Sequence, residues 1–269
     1  MPLGYTNKEM MVLAAGRLVG NGDILFAGTG LSMLAATVAK RIHAPEATVF
    51  FETGGIDPAL DELPLAVADP RVMSRTSLNS GLIEAFSILS HRRLRTISFL
   101  GAAQIDAYGN INSTCLGDYH KPRVRFPGSG GACDAMSQAY AVILFVQHDR
   151  KRFVEKLDYL TSPGWLSGGE TRHKAGFRRG GPLAVVTNLG VMKFDEITRH
   201  MYLSALYPGV TAQQVAESTG FDVDVSRGTE TAPPSEAELK ALREDVDPQR
   251  LILGPAIREV ASPAKAADL

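Results

Sequence analysis

Apolar and polar positions along the first half of the chain fall into two periods. Asp23-Ile-Leu-Phe-Ala27 is a short apolar run that stops at Gly28-Thr-Gly30, and from Leu31 onward Leu31, Leu34, Ala35, Val38 and Ile42 recur at helical spacing. This pattern predicts a strand, a glycine turn and a helix over residues 31–42. A second apolar run, Ala47-Thr-Val-Phe-Phe51, halts at Glu52-Thr-Gly-Gly55. Neither run has the alternating polar positions of a strand with one wet face, so both suit a parallel sheet covered on both sides. Residues 96–102, 139–146 and 182–187 read as further buried strands, with a helix over 81–90 ahead of the first. The recurring order predicts an α/β fold, an open and mostly parallel sheet covered by helices.

The periodicity fails between Asp158 and Pro182, where Ser162-Pro-Gly164, Gly168-Gly169, Gly176 and Gly180-Gly181 permit neither a helix nor a long strand. A loop of this length in a compact chain is expected to be functional or mobile. Residues 226–234 are polar and contain Pro233-Pro234, after which Ser235-Glu-Ala-Glu238 reads as a capping box opening a helix to about Val246. Residues 1–269 are therefore expected to form one domain, with a polar C-terminal linker and helix from about 226 and a frayed tail over 262–269.

Composition narrows the classes. With 45% hydrophobic and 21% charged residues and only two cysteines, the chain is neither disordered, nor collagen-like, nor a disulfide scaffold. A formal net charge of -1 gives no electrostatic reason to expect nucleic acid or an anionic membrane as partner. Residues 1–9 lack the features of a signal peptide, and no apolar stretch reaches the roughly 20 residues of a membrane helix, so a cytoplasmic location is expected. Cys115 and Cys133 read as reduced thiols, and the six histidines show no ligand spacing, so no metal is expected.

Several features bear on chemistry. Gly28-Thr-Gly30 lies where a dinucleotide pyrophosphate would sit, but Met33 replaces the third glycine of that fingerprint, and a plain tight turn explains the pair as well. Glu52 ends an apolar strand before two glycines, at the sheet edge where open α/β folds bind ligands; its carboxylate suits covalent catalysis, or is simply a solvated strand-end acid. Pro127-Gly-Ser-Gly-Gly-Ala132 is a second glycine loop, whose successive N–H groups either converge on an anion or form an ordinary turn. Lys121, Arg123 and Arg125 alternate with apolar residues just upstream, and one of them, such as Arg125, is a candidate for meeting phosphate or carboxylate. Gln104 and Asn112 flank the turn at Asp106-Ala-Tyr-Gly-Asn110 and have the donors and acceptors to bind a carbonyl. No GxSxG elbow occurs, which leaves no support for a serine hydrolase.

The order of these pieces carries a resemblance. Phe51-Glu-Thr-Gly-Gly-Ile56, Gly101-Ala-Ala-Gln-Ile-Asp-x-Tyr-Gly-Asn-Ile-Asn112, Pro127-Gly-Ser-Gly-Gly-Ala132, Thr161-Ser-Pro-Gly164, Val186-Thr-Asn-Leu-Gly190 and Pro208-Gly-Val-Thr211 follow one another. Over roughly residues 23–221 the chain resembles the beta subunit of class I coenzyme A transferases, in particular the glutaconate CoA-transferase branch. The resemblance implies an active site shared with a homologous alpha subunit, acyl-CoA and carboxylate substrates, and no tightly bound cofactor. It implies that coenzyme A is both substrate and covalent intermediate, carried as a thioester on Glu52. By the same resemblance Gly130 and Gly131 belong to the oxyanion hole, with Ala132, Gly54, Gln104 and Arg125 counted as candidate substrate contacts. Thr53-Gly54 stands where Ser-Gly is common, and Cys133 where Asn is usual. Related branches lack the glutamate and decarboxylate CoA esters or hydrolyse their carbon–carbon bonds. A hydrolase or decarboxylase, or a subunit that only completes a complex, is therefore the alternative expectation.

Overall fold

The computed structural model describes residues 4–177 and 179–255. The chain begins with α1 (Asn7–Gly16), β1 (Ile24–Phe26), α2 (Leu31–Ile42), β2 (Thr48–Phe50), β3 (Gly55–Ile56), β4 (Leu78–Asn79), α3 (Leu82–Ser90) and β5 (Thr96–Gly101). Four short strands follow, β6 (Gln104–Ile105), β7 (Ile111–Asn112), β8 (Cys115–Leu116) and β9 (Val124–Arg125), then α4 (Ala132–Gln138), β10 (Ala141–Phe145) and α5 (Thr171–Lys174). The last part holds β11 (Pro182–Val186), β12 (Gly190–Phe194), β13 (Met201–Leu206), α6 (Ala212–Ser218), β14 (Thr229–Glu230) and α7 (Glu236–Lys240), which passes into a π-helical turn at Ala241–Val246.

Ten of these strands form one sheet in the order β14-β13-β12-β11-β10-β5-β1-β2-β3-β4. Its centre, β11-β10-β5-β1-β2, is wholly parallel, and antiparallel hairpins extend it on either side. Alternate residues of each central strand enter two separate cores, as a strand's period of two requires. Leu25, Val49, Ile97, Ile143 and Ala184 face α1, α2 and the C-terminal helix, whereas Phe26, Phe50, Val142, Leu144 and Val185 face α3, α4 and α6. Both faces are covered, which explains why the central runs lack polar alternation. Because the five central strands are parallel, their carboxyl ends deliver Gly28, Glu52, Gly101 and Thr187 to a single edge. Among the described residues no helix is long and apolar enough to cross a membrane.

The helix read at 31–42 and the strand-helix order agree with the structure. The C-terminal segment read as a linker and helix is more than an appendage: β14 pairs with β13, and Leu239, Leu242 and Val246 are buried in the α2-side core. The N-terminal helix α1 closes over the same segment. Its Glu9, fully buried, accepts from Arg243 Nε at 2.7 Å and from Arg250. Burial alone would raise the Glu9 carboxyl, but hydrogen bonds from Arg243 and the Thr6 N–H outweigh it and hold it below the ordinary carboxylate range. The capping box at Ser235 is present as expected. The expected fraying over 262–269 lies outside the described residues.

Among the described residues of the 158–182 loop the one helix is the four-residue α5, in keeping with the loop's glycines. It is nonetheless tied down. The buried Arg172 guanidinium donates to the carbonyls of Pro163, Gly164, Met136 and Arg179, at 2.7 to 3.2 Å, and lies 4.8 Å from the centre of the Phe177 ring. Asn110 accepts from the Gly164 and Leu166 N–H groups, and Trp165 Nε1 donates to Pro182 O.

Candidate active site

Glu52 sits in the hairpin between β2 and β3. Phe51 N–H donates to Gly55 O and Gly54 N–H to Phe51 O, both at 3.0 Å, so the chain reverses through Glu52 and Thr53. Gly54 has φ +100°, and a Cβ there would lie 2.0 Å from Ser80 O. Only glycine meets both conditions, which is why the strand stops where it does. Ser80 binds Gly54 O through its N–H and its hydroxyl, and Thr53 Oγ1 donates to Val67 O. The hairpin is thus held from both sides, while the half-buried Glu52 carboxylate has no hydrogen bond among the described residues.

The second glycine loop approaches from α4. Gly130 has φ +48° and Gly131 φ −81°, an alternation of hand that turns successive N–H groups toward one side. Gly128 N–H donates to Ser113 O, Ser113 Oγ donates to Gly128 O, and Ser129 Oγ accepts from Cys133 N–H. The N–H groups of Gly130 and Gly131 have no acceptor among the described residues. A Cβ on Gly131 would stand 3.5 Å from Glu52 Oε2, which puts that oxygen within about 5 Å of Gly131 Cα. Glu52 and the loop, 79 positions apart in the chain by their numbers, are neighbours in space.

On the other flank of the loop lies a cleft of about 610 Å³, walled by Leu100, Ala102, Leu116, Phe126 and Pro127, with Ser129 and Ala132 from the loop itself. Lys151 and Arg152 stand at its rim, Arg152 paired with Asp149. The rim is carried by buried His148, whose Nε2 bonds Thr219 Oγ1 at 3.0 Å and whose Nδ1 bonds Thr187 Oγ1 at 3.2 Å. Thr219 donates its own proton to Val215 O, so His148 donates from Nε2 to Thr219, while the Thr187 hydroxyl near Nδ1 donates to Gly190 O at 3.0 Å. Burial pushes this histidine down to about 4, so it is neutral at pH 7.

The other residues singled out in the sequence fall elsewhere. Gln104 is buried, its Oε1 accepting from Asn112 and from Asp158 N–H, its Nε2 donating to Asp158, so its polar atoms tie the β6–β7 hairpin to residue 158. Arg125 is exposed on β9, donating to Tyr119 O and lying 4.7 Å from that ring's centre. Gly54 shapes the turn, its Cα facing the Ser80 carbonyl. Asp106 organises its own turn, accepting from Tyr108 N–H, Asn110 N–H and Asn110 Nδ2. Cys133 is half-buried and free, Cys115 buried and free. Sequence reasoning missed Ser80, Lys151 and Phe86, whose ring edge lies against Gly131. The only available signal was for Lys151, in the basic triplet Arg150-Lys-Arg152 just past an apolar strand.

The parallel sheet thus sets the strand-end Glu52 beside a glycine loop whose Gly130 and Gly131 N–H groups are free among the described residues, next to a cleft lined in part by Lys151 and Arg152. A family model described as coenzyme A transferase matches residues 8–218, and the chain belongs to that family. It is 42% identical to the beta subunit of glutaconate CoA-transferase from Acidaminococcus fermentans over 97% of this chain and 98% of that one. It is 37% identical to the corresponding subunit of 3-oxoadipate CoA-transferase from Pseudomonas knackmussii, over 89% of this chain and 92% of the relative. The crystal structure of the A. fermentans glutaconate enzyme superposes with a TM-score of 0.91 at 41% identity, covering 94% of this chain and 99% of that chain.

Proposed function

We propose that this chain is the beta subunit of an acyl-CoA:carboxylate CoA-transferase and that Glu52 is its nucleophile. A Glu52 oxygen attacks the thioester carbonyl, and the oxyanion that forms meets the Gly130 and Gly131 N–H groups, with Ala132 alongside. The C–S bond breaks, CoA leaves as thiolate, and a mixed anhydride joins Glu52 to the acyl group. The thiolate then attacks the Glu52 carbonyl carbon, releasing the donor as carboxylate and leaving CoA as a thioester on Glu52. The acceptor carboxylate reverses both steps. The approach of Glu52 Oε2 to Gly131 is the observation that carries this reading.

The cationic rim at Lys151 and Arg152 suits a CoA ester, and the two relatives named for glutaconate and 3-oxoadipate direct attention to dicarboxylates as acceptors. A homologous alpha subunit supplies the missing wall: Leu78, Leu82 and Ile83 beside the Glu52 hairpin are 55 to 73% exposed, an apolar surface that calls for a partner. The experiment is peptide mass spectrometry of the assembled enzyme after incubation with acyl-CoA and borohydride, which reduces a glutamyl thioester to the alcohol. The mass change should fall on the peptide containing Phe51-Glu52-Thr53 and vanish in Glu52→Gln, which keeps the shape but not the nucleophile. Turnover with that peptide unmodified would replace the covalent reading by a hydrolytic one with Glu52 as general base.

A further inference from the structure

Phe86 on α3 occupies the point where the two halves of the site meet. The Cβ position of Gly131 lies 2.5 Å from Phe86 Cζ and 2.9 Å from Cε1, while the same position lies 3.5 Å from Glu52 Oε2. The far edge of the ring therefore presses on the bare face of Gly131, immediately beside the carboxylate. The ring is fixed from behind. It packs edge-on against Phe26 with centroids 5.6 Å apart at 63°, and Phe26 packs against Phe50 at 5.2 Å and 45°. Phe50 ends β2 two residues before Glu52. The start of α3 is fixed as well, since Ser80, just before the helix, holds Gly54 O. A ladder of three rings thus connects the strand that leads into Glu52 to the loop that bears the free N–H groups.

We propose that Phe86 is a positioning residue that sets the spacing between Glu52 and the Gly130-Gly131 loop and keeps water from the Glu52 carbonyl carbon while that carbon carries CoA. The proposal rests on the reading of Glu52 as the covalent carrier. A thioester on Glu52 has two fates. An acceptor carboxylate restarts the transfer, or water attacks the same carbon, the C–S bond breaks, and Glu52 carboxylate, free CoA thiol and a proton result. Both attacks use the same oxyanion donors, so the loop alone does not choose between them. An apolar ring edge at van der Waals distance occupies the volume a water would need and offers it no hydrogen-bond partner. The bare Cα of Gly131 is what lets the ring come so close.

The test uses the enzyme assembled with its alpha subunit, acetyl-CoA as donor, and glutaconate and 3-oxoadipate as acceptors. Hydrolysis is read as thiol release without acceptor, transfer as formation of the new CoA ester, and the lifetime of the Glu52 adduct by mass spectrometry. Phe86→Leu and Phe86→Ala should raise the ratio of hydrolysis to transfer by about tenfold or more, Ala more than Leu, and shorten the adduct lifetime in step. Leu89→Ala, a core truncation one turn along the same helix, should leave the ratio at the native value although it lowers the melting temperature. Should Phe86→Ala fail to assemble, Phe86→Leu and Phe86→Met give the same comparison. An absent adduct in the unmodified enzyme overturns the Glu52 reading and this inference with it. A normal native adduct with hydrolysis and transfer falling together in the Phe86 variants overturns this inference alone.

Discussion

Acidification below about pH 6.5 should destabilise this protein, and His148 is the reason. The imidazole is 4% exposed, lies flat against Phe153 with ring centroids 3.9 Å apart, and is held between two threonine hydroxyls. Burial lowers its value from an ordinary 6.5 to about 4, with nearby Asp149 opposing the fall. The folded value is the lower one, so between these limits the unfolded chain binds more protons than the folded chain. The stabilisation is complete above about pH 6.5 and drains away as pH falls toward 4. That difference corresponds to about 3 kcal/mol in full and about 2 kcal/mol by pH 5, a large share of the roughly 5–15 kcal/mol that holds a typical domain folded. Urea unfolding at a series of pH values between 7 and 5, for the native chain and for His148→Asn, measures it directly. The native curve should fall with pH and the Asn curve should be nearly flat. Parallel curves would refute the neutral, buried histidine. Since His148 carries the segment leading to Lys151 and Arg152, the rim of the cleft should loosen over the same pH range, seen as faster amide exchange there.

Gly54→Ala should cost about 3 kcal/mol or more, from a side chain at φ +100° and overlap with Ser80 O, and should abolish transfer by displacing Glu52; thermal unfolding and the adduct assay read the two effects. Arg172→Met removes the buried guanidinium and strands the four carbonyls it serves, so the 158–182 loop should become the first site of limited proteolysis, with a loss of about 3–5 kcal/mol. An unchanged cleavage pattern would remove Arg172 as the tie. Glu238, which burial would raise but which bonds to Arg17 and Ser235 hold down at about 2, contributes stability that is full above about pH 4.5 and lost as pH falls toward 2; Glu238→Gln should flatten the unfolding profile in that interval only.

The parallel centre of the sheet was legible because its strands are buried on both faces and end at glycines, signals written within a few residues of each other. Helix α1 was not read although its Thr6-x-x-Glu9 capping box is of the same kind as the one recognised at Ser235. Strands β12 and β13 went unnoticed because their apolar positions mix with Lys193, Tyr202 and Ser204, and only pairing with β11 gives the mixture meaning. The C-terminal segment read as a linker and helix because residues 226–234 are polar and contain Pro233-Pro234, yet Leu239, Leu242 and Val246 follow the helical stripe that buries it. In the site, Glu52 and the glycine loop were legible as motifs. The bond from Gln104 to Asp158 spans 54 residues, and no local pattern reports such a bond. Phe86 gave no signal, since an aromatic residue on an amphipathic helix reads as core until its contact with Gly131 is seen.

The hairpin at Glu52 divides what can vary from what cannot. A side chain at Gly54 or Gly55 would overlap the carbonyl of Ser80 or Val72, and Phe51 is wholly buried, so the frame tolerates almost no substitution. Residue 52 itself makes no side-chain hydrogen bond within the described chain, so exchanging its side chain leaves the frame standing. Mutation therefore meets a rigid socket around a replaceable head, and on the proposed role of Glu52 a single codon change there should alter reactivity without first passing through an unfolded ancestor. Descendants of this scaffold should diverge in chemistry by changing the head and the ring that guards it, while the socket glycines remain as the record of common origin.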